Sequence, residues 1–201
     1  MKIGIIGAGS VGRALAGLAR NAGHAPVLSE RTPSGDTVSF QEAAGVGEIV
    51  IIAIPYTATP AVLPPLAAAL AGKTVVDATN PLNDDWSPKV LGAETSAAEE
   101  IAGLLPGAHV VKAFNTVFAD IMTPDKLIRL GAPVTGFIAG DDDAARRQVA
   151  GLVKDMGLAP VEIGPLATAR YLEAMAHLNI AIAVGQSGGT DAAFLYHQSP
   201  A

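Results

Sequence analysis

Cysteine is absent from the 201 residues, and its absence excludes disulfides, thiol catalysis and cysteine-ligated metal sites. Aromatic residues are also scarce, at 4% of a chain that is 50% hydrophobic. The core must therefore be built mainly from Ala, Val, Ile and Leu. Small aliphatic side chains of this kind are typical of helices that pack closely on a parallel sheet.

Two further absences limit the choice of partners. The net charge is -6 and no run of Lys or Arg occurs, which argues against a broad nucleic-acid or anionic-membrane surface. Apolar segments such as 49–55 and 180–184 are much shorter than the ~20 residues of a membrane helix. No secretory signal is visible, because the apolar start runs directly into a glycine-rich segment. We expect a soluble, cytoplasmic protein without nucleic-acid or membrane partners.

Strand and helix patterns alternate along almost the whole chain. This alternation predicts a Rossmann-type α/β fold, a doubly wound and mostly parallel sheet with a long C-terminal helix. The predicted strands cover residues 2–6, 26–29, 49–54, 73–77, 109–113, 134–139 and 159–163. The predicted helices cover residues 10–22, 61–71, 96–105, 141–156 and 165–184, and Thr123-Pro124 is typical of one more helix start.

Three glycines, at positions 7, 9 and 12, lie where the first predicted strand leads into the first predicted helix. In this context G-x-G-x-x-G is the fingerprint of a dinucleotide site, because the glycines allow a tight turn, close approach of a pyrophosphate and close helix packing. The free amides and the positive dipole end of the helix favour the same anion. The residues expected to bind the phosphates are Gly7, Ala8, Gly9, Ser10, Val11 and Gly12.

Two neighbouring residues of opposite charge lie at the end of the second predicted strand. Glu30 stands about 20 residues after the glycines, where an acidic side chain accepts hydrogen bonds from the adenosine ribose of NAD. Arg31 follows it and can pair with the 2′-phosphate of NADP. Ser29 adds a hydroxyl group beside them. The two charges favour different cofactors, so these residues alone leave NAD and NADP both open.

Polar and irregular residues follow the next three predicted strands. Ligands of open α/β sheets bind outside the carboxyl ends of the strands. Ile54-Pro55 ends the third strand, Asn80 follows the fourth and Asn115 follows the fifth. An asparagine side chain can hold a carboxamide or a ribose hydroxyl, since it has donors and an acceptor. A single Asn here could be an ordinary turn residue, but two at equivalent strand ends favour binding.

Four segments carry a resemblance to a known family: residues 3–12, 77–82, 111–116 and 164–173. The chain resembles the NADP oxidoreductases that depend on coenzyme F420, to about residue 185. The resemblance implies hydride transfer between NADP(H) and a deazaflavin (F420) or flavin-like acceptor, a small molecule that accepts or donates electrons. It also implies that Arg31 binds the 2′-phosphate, although members commonly carry Ser or Asn where Glu30 stands. The residues that it places around the nicotinamide half are Pro55, Asn80, Ala113, Phe114 and Asn115.

Such a reaction needs little from side chains. Direct hydride transfer between stacked rings depends on proximity and orientation, and the cofactor carries the chemistry. We therefore assign no catalytic residue and no metal site. The acidic run 141–143 is interpreted as helix capping, His177 as a helix histidine satisfied by backbone or solvent, and Lys112 as a surface lysine.

Two other functions fit the same patterns. An imine reductase of the pyrroline-carboxylate type would also combine a Rossmann unit with a dimerising helix, and a redox sensor would bind NAD(P) without turnover. We expect residues 1–164 to form the NAD(P)-binding domain and residues 165–201 to form a helix and tail for packing or dimerisation. The apolar stripe on that helix, from Tyr171 to Ile182, predicts a homodimer.

Overall fold

The computed structural model describes residues 1–199, and eight of its strands form one sheet. The strands are β1 (Lys2–Ile6), β2 (Ala25–Glu30), β3 (Val38–Ser39), β4 (Ile49–Ile52), β5 (Thr74–Asp77), β6 (His109–Ala113), β7 (Ile128–Arg129), β8 (Ala132–Pro133), β9 (Thr135–Gly140) and β10 (Ala159–Glu162). Their order across the sheet is β10-β9-β6-β5-β4-β1-β2-β3, while β7 and β8 pair as a separate hairpin.

The sheet is parallel except at one pair of strands. All neighbours from β3 to β6 run parallel, whereas β6 and β9 run antiparallel. From β1 the chain crosses to β2 on one side and later returns to β4 on the other. The strand order therefore reverses between β1 and β4, and ligand crevices in such sheets lie outside the carboxyl ends of these strands. The predicted Rossmann-type fold is confirmed.

Helices cover both faces of the sheet. They are α1 (Ser10–Asn21), α2 (Phe40–Val46), α3 (Thr59–Val62), α4 (Ala67–Leu70), α5 (Ala97–Leu104), α6 (Asp143–Asp155) and α7 (Ala169–Ile180). One core cluster joins α1 and α6 to strand residues such as Ile5 and Ile51, and the other joins α2, α5 and α7 to residues such as Ile6 and Ile52. Successive strand residues thus face opposite layers, which explains why the strands are apolar throughout.

Helix α2 lies where the sequence patterns gave no helix. It packs so closely on β1 that a Cβ atom at Gly4 would lie 2.2 Å from the carbonyl oxygen of Ala43. The glycine in the first strand is therefore required by the approach of a helix backbone. Ser39 begins this helix, because its hydroxyl accepts a hydrogen bond from the Glu42 amide.

Two predicted helices are not formed as expected. In place of the helix expected over 61–71, a 3₁₀ turn (Tyr56–Ala58) precedes the one-turn helix α3, and a second 3₁₀ turn (Pro64–Leu66) separates α3 from the one-turn helix α4. Prolines at 60, 64 and 65 lack the amide hydrogen that a continuous helix needs. The start expected at Thr123-Pro124 was also wrong, since a 3₁₀ turn (Ala119–Ile121) and the β7–β8 hairpin occupy that region.

The C-terminal part packs against the rest of the fold. A 3₁₀ turn (Leu166–Thr168) leads into α7, which continues as a short π-helical segment (Ala181–Gly185). The tail then lies along the start of β9, where the Thr135 amide donates to the carbonyl of Phe194 and the Tyr196 amide donates to the Thr135 hydroxyl. Among the helices of residues 1–199, none has the length and apolar character needed to span a bilayer.

Candidate functional site

A cleft of about 570 Å³ lies outside the carboxyl ends of β1, β4, β5 and β6. Its floor is made by the segments that follow these strands, and α7 provides one wall. Seven of the residues that line it were predicted to bind the cofactor: Gly9, Ser10, Val11, Ile54, Pro55, Asn80 and Asn115. The volume falls in the range of small-molecule sites, which is typically 300–1,000 Å³.

The three glycines of the loop serve different purposes. Gly7 has φ +116°, and a Cβ atom there would lie 2.4 Å from the Ala53 carbonyl oxygen. A Cβ atom at Gly12 would lie 2.0 Å from the Gly7 carbonyl oxygen. At Gly9, by contrast, no atom of the described chain lies within 4 Å of that position. Packing therefore requires the first and third glycines, whereas the second opens onto the cleft.

The first turn of α1 is available to an anion. Gly9 is its N-cap residue, and within residues 1–199 no side chain caps the turn and the turn contains no acidic residue. Amides at a helix start without intrahelical partners, together with the dipole, form an anion site. Ala8 is partly buried beside this turn. The loop thus has the form expected of a pyrophosphate cradle.

Ser29, Glu30 and Arg31, which were predicted to bind the adenosine half of the cofactor, lie in different environments. Arg31 is exposed, and the carboxylate of Glu30 lies 3.3 Å from Arg13 Nη2 and accepts a hydrogen bond from the Ser34 hydroxyl at 3.2 Å. The expected side-chain contact of Ser29 with the cofactor is wrong. Ser29 is fully buried, and its hydroxyl donates to the carbonyl of Ile5 at 2.7 Å, because its side chain points into the sheet layer.

Asn80 and Asn115, the two asparagines predicted to bind the cofactor, are hydrogen-bonded to each other. Asn80 Nδ2 donates to the Asn115 carbonyl oxygen at 2.8 Å, and Asn115 Nδ2 donates to Asn80 Oδ1 at 2.9 Å and to the Leu172 carbonyl at 3.0 Å. Asn115 Oδ1 and the Thr79 hydroxyl are buried atoms of cleft residues that have no partner in the part of the chain described. A carboxamide ligand would supply a donor for one and an acceptor for the other.

Two residues assigned to the nicotinamide half lie below the cleft surface. Ala113 ends β6 and is fully buried, and Phe114 is buried with φ +65°. A left-handed conformation is uncommon for an aromatic residue. It turns the chain so that the next residue, Asn115, reaches the cleft. These two residues therefore shape the site from beneath instead of lining it.

Lys112 is the clearest error of the sequence interpretation. It is fully buried, and its amino group donates to Asp77 Oδ2 at 2.8 Å, Glu173 Oε1 at 2.9 Å and the Thr79 carbonyl at 2.7 Å. Burial acts to lower the pKa of Lys112, but the two carboxylates outweigh it and hold the pKa above its usual value. The lysine is therefore charged at neutral pH and joins β5, β6 and α7.

Other cleft residues had no signal in the sequence. Asn179 and Ile180 reach the cleft from α7, and Trp86 reaches it from the loop after β5. Trp86 is 62% exposed and has φ +67°, held by a turn in which its amide donates to the Asn83 carbonyl. Periodicity cannot indicate which face of a helix or which loop tip will meet a cleft made by distant strands.

The remaining polar groups considered in the sequence have structural roles. His177 Nε2 lies 3.0 Å from the Pro81 carbonyl oxygen, as expected for a helix histidine satisfied by the backbone. Asp142 caps α6 through a hydrogen bond from the Ala145 amide. The Tyr56 hydroxyl donates to Glu100, and burial followed by that contact raises the pKa of Tyr56. Within residues 1–199 no group of His, Asp and Glu side chains could hold a metal ion.

The loop glycines allow a matched pair of substitutions. Gly12→Ala is expected to lower the free energy of unfolding by roughly 1–3 kcal/mol, because its Cβ meets a backbone carbonyl. Gly9→Ala should change stability by less than about 1 kcal/mol and yet weaken nucleotide binding, because the methyl group enters the cleft. Urea unfolding and nucleotide titration of both variants check this. Wild-type affinity in Gly9→Ala would contradict the cradle.

The buried lysine gives a stability prediction. Lys112→Met is expected to lower the free energy of unfolding by about 3–5 kcal/mol, because two buried carboxylates lose their counter-ion. Lys154→Met, an exposed lysine of α6, is the control and should change stability by less than about 0.5 kcal/mol. Equal effects of the two substitutions in urea unfolding would show that the buried cluster is not needed.

Several known proteins are similar to this chain. Residues 2–81 match the family described as NADP oxidoreductase coenzyme F420-dependent. The F420-dependent NADP reductase of Methanocaldococcus jannaschii is 27% identical over 165 residues, which are 78% of this chain and 72% of that protein. A candidate F420-dependent NADP reductase from Arthrobacter sp. FB24 has a crystal structure that superposes with a TM-score of 0.87 at 29% identity, covering 98% of this chain and 100% of that one.

A second group of relatives is longer. Metalloreductase STEAP3 of Rattus norvegicus is 33% identical over 186 residues, which are 87% of this chain. This chain spans only 36% of the length of that metalloreductase. The resemblance inferred from residues 3–12, 77–82, 111–116 and 164–173 is confirmed: the chain is similar to the coenzyme F420-dependent NADP oxidoreductases.

Proposed function

We propose that this chain transfers a hydride between NADP(H) and a deazaflavin (F420) or flavin-like acceptor held in the cleft. One observation carries the proposal: the same cleft contains an uncapped helix start and two buried polar atoms that lack a partner in residues 1–199. The first suits a pyrophosphate, and the second suits the carboxamide of a nicotinamide. The phosphate groups would lie on the amides of Gly9 to Gly12, and Arg31 would take the 2′-phosphate.

The nicotinamide half depends on orientation more than on acid–base chemistry. When bound, the nicotinamide supplies the hydride. Asn115 Oδ1 would accept a hydrogen bond from its carboxamide, and the Thr79 hydroxyl would donate one. Because Asn115 Nδ2 is already held by Asn80 and by the Leu172 carbonyl, its oxygen has a fixed direction. Such preorganised contacts align the two reacting rings, which is the main requirement of the reaction.

The acceptor would occupy the other half of the cleft, between α7 and the loop after β5. Trp86 offers an exposed aromatic ring there, Ile180 an apolar side chain and Asn179 a carboxamide. A conjugated ring with a polar edge, such as a deazaflavin or a flavin, matches this combination. In this proposal residues 1–164 form the NAD(P)-binding domain, and α7 completes the acceptor wall. The cytoplasmic location stays a prediction.

Two measurements test this function. NADPH is expected to be oxidised when F420 or FMN is added, as followed by the absorbance of the dihydronicotinamide. Trp86 is the only tryptophan, so its fluorescence should report nucleotide binding without a label. Reduction of a cyclic imine but no flavin would favour the pyrroline-carboxylate type of reductase. Binding without any turnover would favour a redox sensor.

A matched variant links the test to the site. Thr79→Val replaces the free hydroxyl by a methyl group of similar size, and kcat/KM with NADPH should fall by about tenfold because one preorganised contact is lost. The affinity for ADP-ribose, which lacks the nicotinamide, should not change. No binding of NADPH or NADH at millimolar concentration would refute the function altogether.

We also propose that the chain forms a homodimer through α7. Three exposed apolar residues recur at helical spacing on this helix and its extension and form one stripe: Tyr171, Leu178 and Ile182. An apolar patch of this kind is typical of an interface, and a two-fold axis would cover it with its own copy. Sedimentation should give a dimer at micromolar concentration for the wild type and a monomer for Leu178→Glu. A monomeric wild type would contradict the proposal.

A further inference from the structure

The carboxylate of Glu30 lies in a small polar cluster at the end of β2, beside the start of α1. Arg13 Nη2 lies 3.3 Å from its Oε1, and the Ser34 hydroxyl donates to its Oε2 at 3.2 Å. Arg13 also approaches Asp36, with 3.5 Å between Nη1 and Oδ1. A guanidinium and a hydroxyl on one anion are the donor set that a phosphate monoester takes in proteins.

The position of this site along the fold identifies the anion that could replace the carboxylate. Glu30 ends β2, and Arg13 lies in α1 one residue after the last loop glycine. The adenosine ribose of a dinucleotide lies between these two elements when the pyrophosphate is on the glycine loop. The 2′-oxygen of that ribose would therefore come close to the donors that now hold Glu30.

We propose that Arg13 and Ser34 join Arg31 in binding the 2′-phosphate of NADP, and that Glu30 is an internal competitor for them. The inference rests on the proposed function, because it requires the nucleotide in this cleft. With NADH, Glu30 keeps Arg13 and accepts hydrogen bonds from the ribose hydroxyls. With NADPH, the phosphate takes Arg13 and Ser34, and the displaced carboxylate repels it. The chain is therefore expected to use both cofactors with only a modest preference.

The exposure of the pair makes such an exchange feasible. The Arg13 side chain is 51% exposed and that of Glu30 is 30% exposed. Ion pairs at this level of exposure contribute little to stability, so breaking one does not disturb the fold. Arg13 and Glu30 can consequently change partners according to the ligand, whereas the fully buried Ser29 beside them cannot.

The test is a set of dissociation constants for NADPH and NADH, which differ only in the 2′-phosphate. Glu30→Gln is expected to raise the affinity for NADPH by about five- to tenfold and to lower that for NADH slightly, because a repulsive charge and a ribose acceptor are lost together. Arg13→Ala should weaken NADPH by about fivefold and NADH hardly at all. Combining the two substitutions should remove most of the gain seen in Glu30→Gln.

Controls separate this inference from the proposed function. Glu162→Gln removes the same charge at the opposite edge of the sheet, on β10, and should leave both constants unchanged. If the wild type binds and Arg31→Ala weakens only NADPH, while Glu30→Gln and Arg13→Ala leave the ratio unchanged, the inference is overturned and the proposed function stands. If the wild type binds neither nucleotide, both are overturned.

Discussion

The position of the Lys112 amino group is the constraint on which the cleft depends. It reaches two carboxylates and one carbonyl that come from β5, its loop and α7, and every one of these groups is buried. Taking such charges out of water is costly unless each has its partners. The elements must therefore meet in one arrangement, and that arrangement fixes the strand ends relative to the helix that faces them.

The same cluster extends to the next helix. Glu173 also accepts hydrogen bonds from the amides of Ala97 and Ala98 at the start of α5, at 2.9 and 3.2 Å. An acidic side chain at a helix N-terminus satisfies free amides and complements the dipole. One carboxylate on α7 thus connects a buried lysine with α5. Because Thr79 and Leu172 belong to the connected segments, the contacts that orient Asn115 and the position of the Thr79 hydroxyl follow from this network.

What the sequence could predict depended on how local each signal was. The glycine loop and the start of the helix predicted over 96–105 lie within single short segments, and Ser96 caps that helix by accepting a hydrogen bond from the Glu99 amide. Asn80 and Asn115 could be predicted to lie close together, because the carboxyl ends of parallel strands meet at one edge of a sheet. This rule follows from topology and needs no coordinates. Patterns of this kind need only the order of the elements along the chain.

The wrong predictions concern Lys112, Ser29 and Thr123. Lys112 is paired with residues 35 and 61 positions away, so neither partner could be identified from spacing. The burial of Ser29 depends on a carbonyl of the neighbouring strand, and the helix expected at Thr123 was replaced by a hairpin whose pairing is local but whose turn was not recognised. For Lys112 and Ser29, tertiary contacts decided between conformations that the local sequence allowed equally well, whereas at Thr123 a local turn was missed.

Under the proposed function, the nicotinamide end and the adenosine end of the site differ in how their charges are held. At the nicotinamide end, the ionic groups are buried and each is bonded to several elements, so a change there would cost stability as well as geometry. At the adenosine end, Arg31 is exposed, and the partly exposed Arg13 and Glu30 form a long contact of 3.3 Å. Exposed pairs of this kind can be altered with little effect on folding. If the proposed function holds, the fold keeps the reacting geometry constant and leaves the choice between the two pyridine nucleotides to residues that can be substituted with little effect on folding.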